Sequence, residues 1–203
     1  MSPDLSVIIP AHNEEDCIGE TLDGLCEVLD RESMDYEVIV VNDHSTDGTE
    51  DVVRRFGEQH PNVRVVNNEG KRGFSNALKV GYTAAGDGAI VTMMADLCDD
   101  PQTLAPMYAK IVEGFDVVCG SRYMPGGGKH DEDSEVKGMF SRFVGLSLRR
   151  LVGVPTHDAT NAFKMYRSEV LKSITIEEMG LVTENGGEYM CEPQEELVLI
   201  SAP

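Results

Sequence analysis

Basic residues are scarce in this chain of 203 residues: 17 Lys and Arg stand against 36 Asp and Glu, for a formal net charge of −19. A nucleic-acid backbone is a poor partner for such a surface, because phosphate contacts of that kind need a surplus of Lys and Arg. A nucleotide remains compatible, since a metal ion and a few local basic groups offset a diphosphate. The acidity suits a high-salt habitat, and solubility alone would favour the same balance. Paired cysteines are also missing. The five cysteines (Cys17, Cys26, Cys98, Cys119 and Cys191) are odd in number and form no CxxC pair. That argues against a disulfide framework or a zinc knuckle and for a reducing cytosol. Nothing approaches the roughly 20 apolar residues that span a bilayer. The N-terminus MSPDLSVIIP lacks the basic and long apolar regions of a signal peptide. The expected location is cytoplasmic, either free or peripheral on the cytoplasmic face of a membrane. There is no GxxxxGK[ST], no GxGxxG after the first apolar run, and no HExxH. These gaps disfavour a P-loop, a nicotinamide-dinucleotide site and a zinc hydrolase.

What is present is a regular alternation. Hydrophobic residues make up 41% of the chain, enough for one globular core. Leu5 to Ile9 is a short apolar run ending at Pro10, the pattern of a buried strand. Asn13 followed by Glu14, Glu15 and Asp16 reads as a helix start, with Ile18, Leu22, Leu25 and Leu29 at helical spacing. Further strands are expected over Glu37 to Val41, Val63 to Val66, Ala89 to Met94 and Phe115 to Cys119, with helical patterns between them. Thr156 to Arg167 is expected to be extended, and Ser168 to Ile174 helical. This alternation predicts an α/β fold with a mostly parallel sheet between two helical layers. Residues 177–203 change character, becoming polar and acidic without a clear period, and the pattern gives the apolar run Leu197 to Ile200 no place in the sheet.

In parallel sheets, ligands bind beyond the carboxyl ends of the strands. Polar clusters fall at three such ends: Pro10 to Glu14, Asn42 to Ser45, and Asp96 with its neighbours. A strand-end carboxylate such as Asp96 suits Mg²⁺ or Mn²⁺, which prefer oxygen ligands and bridge phosphates. Asp43 offers an acceptor to a base N–H, and Glu14 one to ribose or base. Each of these acids is equally readable as a helix cap. Arg122, Arg142 and Arg149 are candidates for phosphate, whose geometry the guanidinium fork matches, or plain surface arginines.

Taken together, VIIPAHNEEDCI, VIVVNDHSTDGT, NNEGKRGFSNALKVGYTAAGDGAIVTMMADLCDDP, VVCGSRY and SRFVGLSLRRLVGVPTHDATNAFKMYRSEVL resemble glycosyltransferase family 2. The resemblance is to its dolichyl-phosphate (polyprenyl-phosphate) mannosyltransferase branch and runs from about Leu5 to about Ile174. It implies a GT-A fold, a Rossmann-like three-layer sandwich, in a catalytic domain over residues 1–176. It implies inverting transfer of a hexose, mannose first, from a nucleoside diphosphate sugar (GDP-mannose favoured) to a polyprenyl phosphate, with Mg²⁺ or Mn²⁺. Pro10, Ala11, Asn13 and Glu14 match the first nucleotide-binding loop, and Asp43 matches the carboxylate that reads the base. Asp96 matches the last acid of the metal-binding Asp-x-Asp, preceded by Ala95. Arg122, Ser141 and Arg142 match positions associated with donor or acceptor phosphates. Asp158, Asn161, Phe163 and Lys164 match the segment that closes the site.

The chain also departs from the family. Met94 stands where the first acid of Asp-x-Asp is expected, which leaves Asp96 to hold the metal with help from Asp99 or water. Residues 177–203 do not resemble the family's continuation and are read as an atypical tail, divergent or truncated. Absence of a QxxRW segment disfavours a processive polysaccharide synthase. Two alternatives stay open: transfer to a sugar or protein hydroxyl, and a non-catalytic nucleotide-sugar binding module.

Overall fold

A computed structural model describes residues 3–96, 98–121, 162–173 and 197–201. Four parallel strands form one half of the sheet: β1 (Leu5–Ala11), β2 (Tyr36–Asn42), β3 (Val63–Asn67) and β4 (Ala89–Thr92). Helices α1 (Ile18–Arg31), α2 (Thr49–Gln59) and α3 (Phe74–Ala84) connect them. A short 3₁₀ turn, Pro101–Thr103, leads into α4 (Leu104–Val112) and β5 (Val117–Ser121). Then come β6 (Lys164–Arg167), α5 (Ser168–Ser173) and β7 (Leu197–Ser201). The seven strands lie in the order β3-β2-β1-β4-β6-β5-β7.

The expected mostly parallel sheet is present, with one reversal. β6 runs antiparallel between β4 and β5, pairing Thr92 with Lys164 and Cys119 with Lys164. The extended run expected before Arg167 therefore enters the middle of the sheet. The apolar run Leu197 to Ile200, which the pattern left without a place, lies in β7 parallel to β5.

Strands buried on both faces read as near-continuous apolar runs, as β1 does over Val7–Ile9 and β2 over Val38–Val41. Val7 and Ile9 join one core cluster with Leu22, Leu25 and Leu29 of α1 and Met107 of α4. Ile8, Ile39, Val41 and Ile90 form the other with Ala77 and Tyr82 of α3 and Leu171 of α5. Cys26 and Cys119 are buried, as small apolar side chains. The Tyr82 hydroxyl reaches Thr92 Oγ1 at 2.7 Å, which satisfies both buried groups. At the opposite end of the sheet from the polar strand ends, Ser6 Oγ and the Gly86 N–H both donate to Glu37 Oε1, at 2.7 and 2.9 Å. That pair fixes the connection from α3 into β4.

Gly81 sets how closely α3 approaches the sheet. A Cβ built there would overlap Ile8 Cγ2 and crowd Val41 Cγ2 at 3.1 Å. Alanine favours a helix over glycine by about 1 kcal/mol, but overpacking costs about 1–3 kcal/mol. Gly81→Ala is therefore expected to lower the urea midpoint despite its better helix propensity. An unchanged or higher midpoint would show that α3 can lift from the sheet at no cost.

Candidate functional site

The ends of β1, β2 and β4 open into one polar rim, and the backbone explains why it opens there. The Met93 N–H donates to Ile8 O at 3.0 Å, the last rung between β1 and β4. The next rung would need an N–H from residue 10, and Pro10 has none. The chain beyond Met93 is thereby released from β1 and turns across the rim as Met94, Ala95 and Asp96. Pro10 and Ala11, expected in the first nucleotide loop, lie within β1 with buried side chains. Only their backbone can face a ligand.

The loop after β1 is stitched to the loop after β2. The Asn13 N–H donates to Ser45 Oγ at 3.1 Å, and Asn13 Oδ1 accepts from the Thr46 N–H at 2.8 Å. The Glu14 N–H donates to Thr49 Oγ1 at 2.9 Å, and Glu15 Oε2 accepts from the Gly48 N–H at 2.8 Å. Asn13 adopts φ 59°, a left-handed conformation that Asn tolerates better than most residues. The expected helix start at Asn13 is thus corrected: α1 begins at Ile18, and Asn13 braces two loops instead of capping a helix. Asp47 behaves as a turn residue, its Oδ1 accepting from the Thr49 N–H at 3.0 Å.

Asp43 ties in the loop after β3. It is 6% exposed. Its Oδ1 accepts from Asn68 Nδ2 at 2.7 Å, and its Oδ2 accepts from the Gly73 N–H at 2.8 Å. Gly73 holds φ 148°, a conformation open to glycine and strained for other residues. Asn68 also donates to Lys71 O at 3.0 Å and accepts from the Gly70 N–H at 3.0 Å. His44 Nε2 donates to Gly70 O at 2.9 Å. Asp43 was expected to meet a base; its carboxylate also organises residues 68–73, and its remaining lone pairs are what a base N–H would use. His12 Nδ1 donates to Asp43 O at 2.8 Å, and Arg72 Nη1 donates to His12 Nε2 at 3.4 Å. A carbonyl only accepts and a guanidinium only donates, so the proton sits on Nδ1. This contact brings Arg72 to the rim, a cation that the sequence reading missed. Its position in a polar, glycine-flanked loop after a parallel strand was the available signal.

Asp96 lies exposed at the end of the β4 chain, its Oδ1 accepting from the Cys98 N–H at 3.2 Å. Ala95 is buried, and its carbonyl accepts from Thr21 Oγ1 at 2.7 Å. Asp99 Oδ2 accepts from the Met94 N–H at 2.9 Å, so the acid expected to assist the metal holds the backbone beside it. Burial pushes the Glu14 carboxyl above its ordinary range, and the charges of Asp96 and Asp47 push it further, with His12 opposing. Glu14 thus lies near enough to Asp96 and Asp47 to feel their negative charge. No group of three His, Cys, Asp or Glu gathers among the described residues. One or two carboxylates plus substrate phosphates is nonetheless how Mg²⁺ is commonly bound. The oxygen donors of Asp96, with Glu14 beside it, fit such an ion.

Arg122, Ser141, Arg142, Arg149, Asp158 and Asn161 lie outside the described residues. Phe163 is a core side chain, 2% exposed, packed where Gly120 leaves room for its ring. Lys164 opens β6 beside Thr92, at the same end of the sheet as the rim.

The glycosyl transferase family 2 profile matches residues 6–175. The chain belongs to this family. It is 32% identical over 123 residues to a dolichol-phosphate mannosyltransferase of Pyrococcus furiosus, covering 61% of this chain and 34% of the relative. It is 27% identical over 172 residues to an undecaprenyl-phosphate 4-deoxy-4-formamido-L-arabinose transferase of Shewanella sediminis, covering 84% and 50%. The chain thus spans between a third and half the length of these relatives. Among solved structures it resembles glucosyl-3-phosphoglycerate synthase of Mycobacterium tuberculosis in complex with Mn²⁺, uridine diphosphate and phosphoglyceric acid. The TM-score is 0.64 at 23% identity, over 85% of this chain and 58% of that one. The GT-A fold expected from the sequence is the fold observed.

The family 2 rim carries a pH signature. Glu14 has a folded pKa above its ordinary 4.5. Below that value both folded and unfolded states hold the proton, and Glu14 contributes nothing to the pH dependence. As pH rises through the window between the unfolded and the folded pKa, the unfolded state ionises first and stability falls. Glu14→Gln is therefore expected to raise the melting temperature at pH 7 and leave it unchanged near pH 4. Equal shifts at both pH values would show that neither burial nor neighbouring charge raises this carboxyl.

Proposed function

We propose that this chain is the donor-binding domain of an inverting glycosyltransferase. It moves a hexose, with GDP-mannose as the favoured donor, to a polyprenyl phosphate at the cytoplasmic face of a membrane. The observation that carries this reading is the placement of Glu14, Asp43 and Asp96 beyond the carboxyl ends of the adjacent parallel strands β1, β2 and β4, with Arg72 brought to His12 there. Family membership and the two polyprenyl-phosphate-dependent relatives support the acceptor class, and the named complex with Mn²⁺ and uridine diphosphate supports the metal and donor class. No helix among the described residues is long and apolar enough to cross a membrane, so the acceptor's lipid is met at the surface or through another segment.

The chemistry asks for little proton transfer. A phosphate monoester is already ionised near neutral pH, so its oxygen attacks the anomeric carbon without a strong general base. The bond to the nucleoside diphosphate breaks on the opposite face, and the leaving group departs with the electron pair. Mg²⁺ or Mn²⁺ at Asp96 would neutralise charge developing on that leaving group. Asp43 and the 68–73 loop orient the nucleoside, Arg72 adds positive charge at its edge, and the stitched β1 and β2 loops keep the rim from rearranging. Arg122, Ser141 and Arg142 are assigned to phosphate groups of donor or acceptor on the family resemblance.

Met94, in place of an acid, favours a second reading: a module that binds the donor without transferring it. Incubating the chain with Mn²⁺, GDP-mannose or UDP-glucose, and either a polyprenyl phosphate or a hydroxyl acceptor separates the cases. Transfer to the lipid phosphate is expected, and Asp96→Asn should abolish both transfer and the metal-dependent part of donor affinity. Transfer confined to hydroxyl acceptors, tight donor binding without transfer, or unchanged metal dependence in Asp96→Asn would overturn the proposal.

A further inference from the structure

The Met94–Asp96 segment carries Asp96 at the end of β4, and two side chains hold its backbone, one five residues further on and one distant in sequence. Asp99 takes the Met94 N–H, and Thr21, seventy-four residues away on α1, donates its hydroxyl to the Ala95 carbonyl at 2.7 Å. Thr21 also lies 3.2 Å from Cys17 O, the i−4 carbonyl of its own helix. One hydroxyl has one proton, and the shorter contact crosses to the rim. Thr21 is 1% exposed and Ala95 2%, so water does not replace this bond.

We propose that Thr21 is the positioning residue for Asp96, acting through the Ala95–Asp96 peptide. The peptide is planar, so fixing the Ala95 oxygen fixes the plane that carries the Asp96 nitrogen and Cα. A β-branched side chain in a helix has few rotamers, which makes Thr21 a stiff post. The helix is itself anchored by Leu22, Leu25 and Leu29 in the core. Through this route α1, which has no described contact with the rim's ligand space, sets where the Asp96 carboxylate stands. With Met94 unable to share the load, a metal ion depends on that placement more than it would at a site with two acids.

The inference rests on Asp96 as a metal ligand, and the test separates the two. GDP and UDP are each titrated into the protein by calorimetry, once with Mn²⁺ and once with EDTA. Thr21→Val keeps the shape and removes the hydroxyl. It is expected to lose about 10- to 100-fold of the Mn²⁺-dependent gain in nucleotide affinity, the usual effect of removing an outer-shell partner. Its affinity in EDTA should match wild type. Thr21→Ser keeps the donor and should keep the gain. Should Thr21→Val lack a cooperative melt, Thr21→Cys, a weaker donor, is expected to give an intermediate gain. A full gain in Thr21→Val or in Thr21→Cys overturns the assignment, as does an equal loss with Mn²⁺ and EDTA, which marks general loosening. Wild-type protein with no Mn²⁺-dependent gain overturns the metal reading of Asp96 and this inference with it.

Discussion

The Asp43 carboxylate is the joint on which the ligand end of this protein depends. It sits almost fully buried, and each oxygen accepts one hydrogen bond from the loop after β3. A buried carboxylate is tolerated only when such donors replace water. Here the requirement works in both directions: Asn68 and Gly73 satisfy the charge, and the charge fixes residues 68–73 against the end of β2. The Asp43 backbone closes the other side, its N–H donating to Ala11 O at 2.8 Å and its carbonyl accepting from His12. Three loops that β1, β2 and β3 merely start are thereby locked into one surface.

That surface is acidic where a diphosphate has to be met. Burial raises the Glu14 carboxyl first, and the charges of Asp96 and Asp47 raise it further, a repulsion that a divalent cation would relieve. In a chain with 36 acids and 17 bases, a cation shared with the ligand supplies what side chains do not. Arg72 is a cation that the loops bring to the rim, against His12. Favourable binding of an anion by so acidic a protein is thus a local matter of a few groups, independent of net charge.

Much of this was legible in the sequence, because the decisive signals were local. Apolar runs alternating with helical periodicity specify a parallel sheet, and polar clusters at strand ends mark where ligands meet it. Asp43, Glu14 and Asp96 became candidates that way, and Pro10 marked where β1 meets the rim. What was not legible depends on contacts distant in sequence. Asn13 followed by acids has the local signature of a cap, yet its side chain is claimed by Thr46 across a loop. Lys164 to Arg167 has an extended pattern with no mark of direction, and only pairing with Thr92 and Cys119 reveals the reversal. Arg72 and Thr21 look like a loop cation and a helix threonine until the partner, sixty or more residues away, is in place.

The central claim is that nucleotide and divalent ion meet at the rim bordered by Glu14, Asp43 and Asp96. Paramagnetic broadening of backbone amide resonances by Mn²⁺ in the presence of GDP or UDP tests it most directly. The account expects strong broadening at Glu14, Asp47 and Cys98, weaker broadening at Gly73, and none at Arg31, Gln59 or Glu113. Broadening centred on those remote positions, or identical broadening with and without nucleotide, would contradict it.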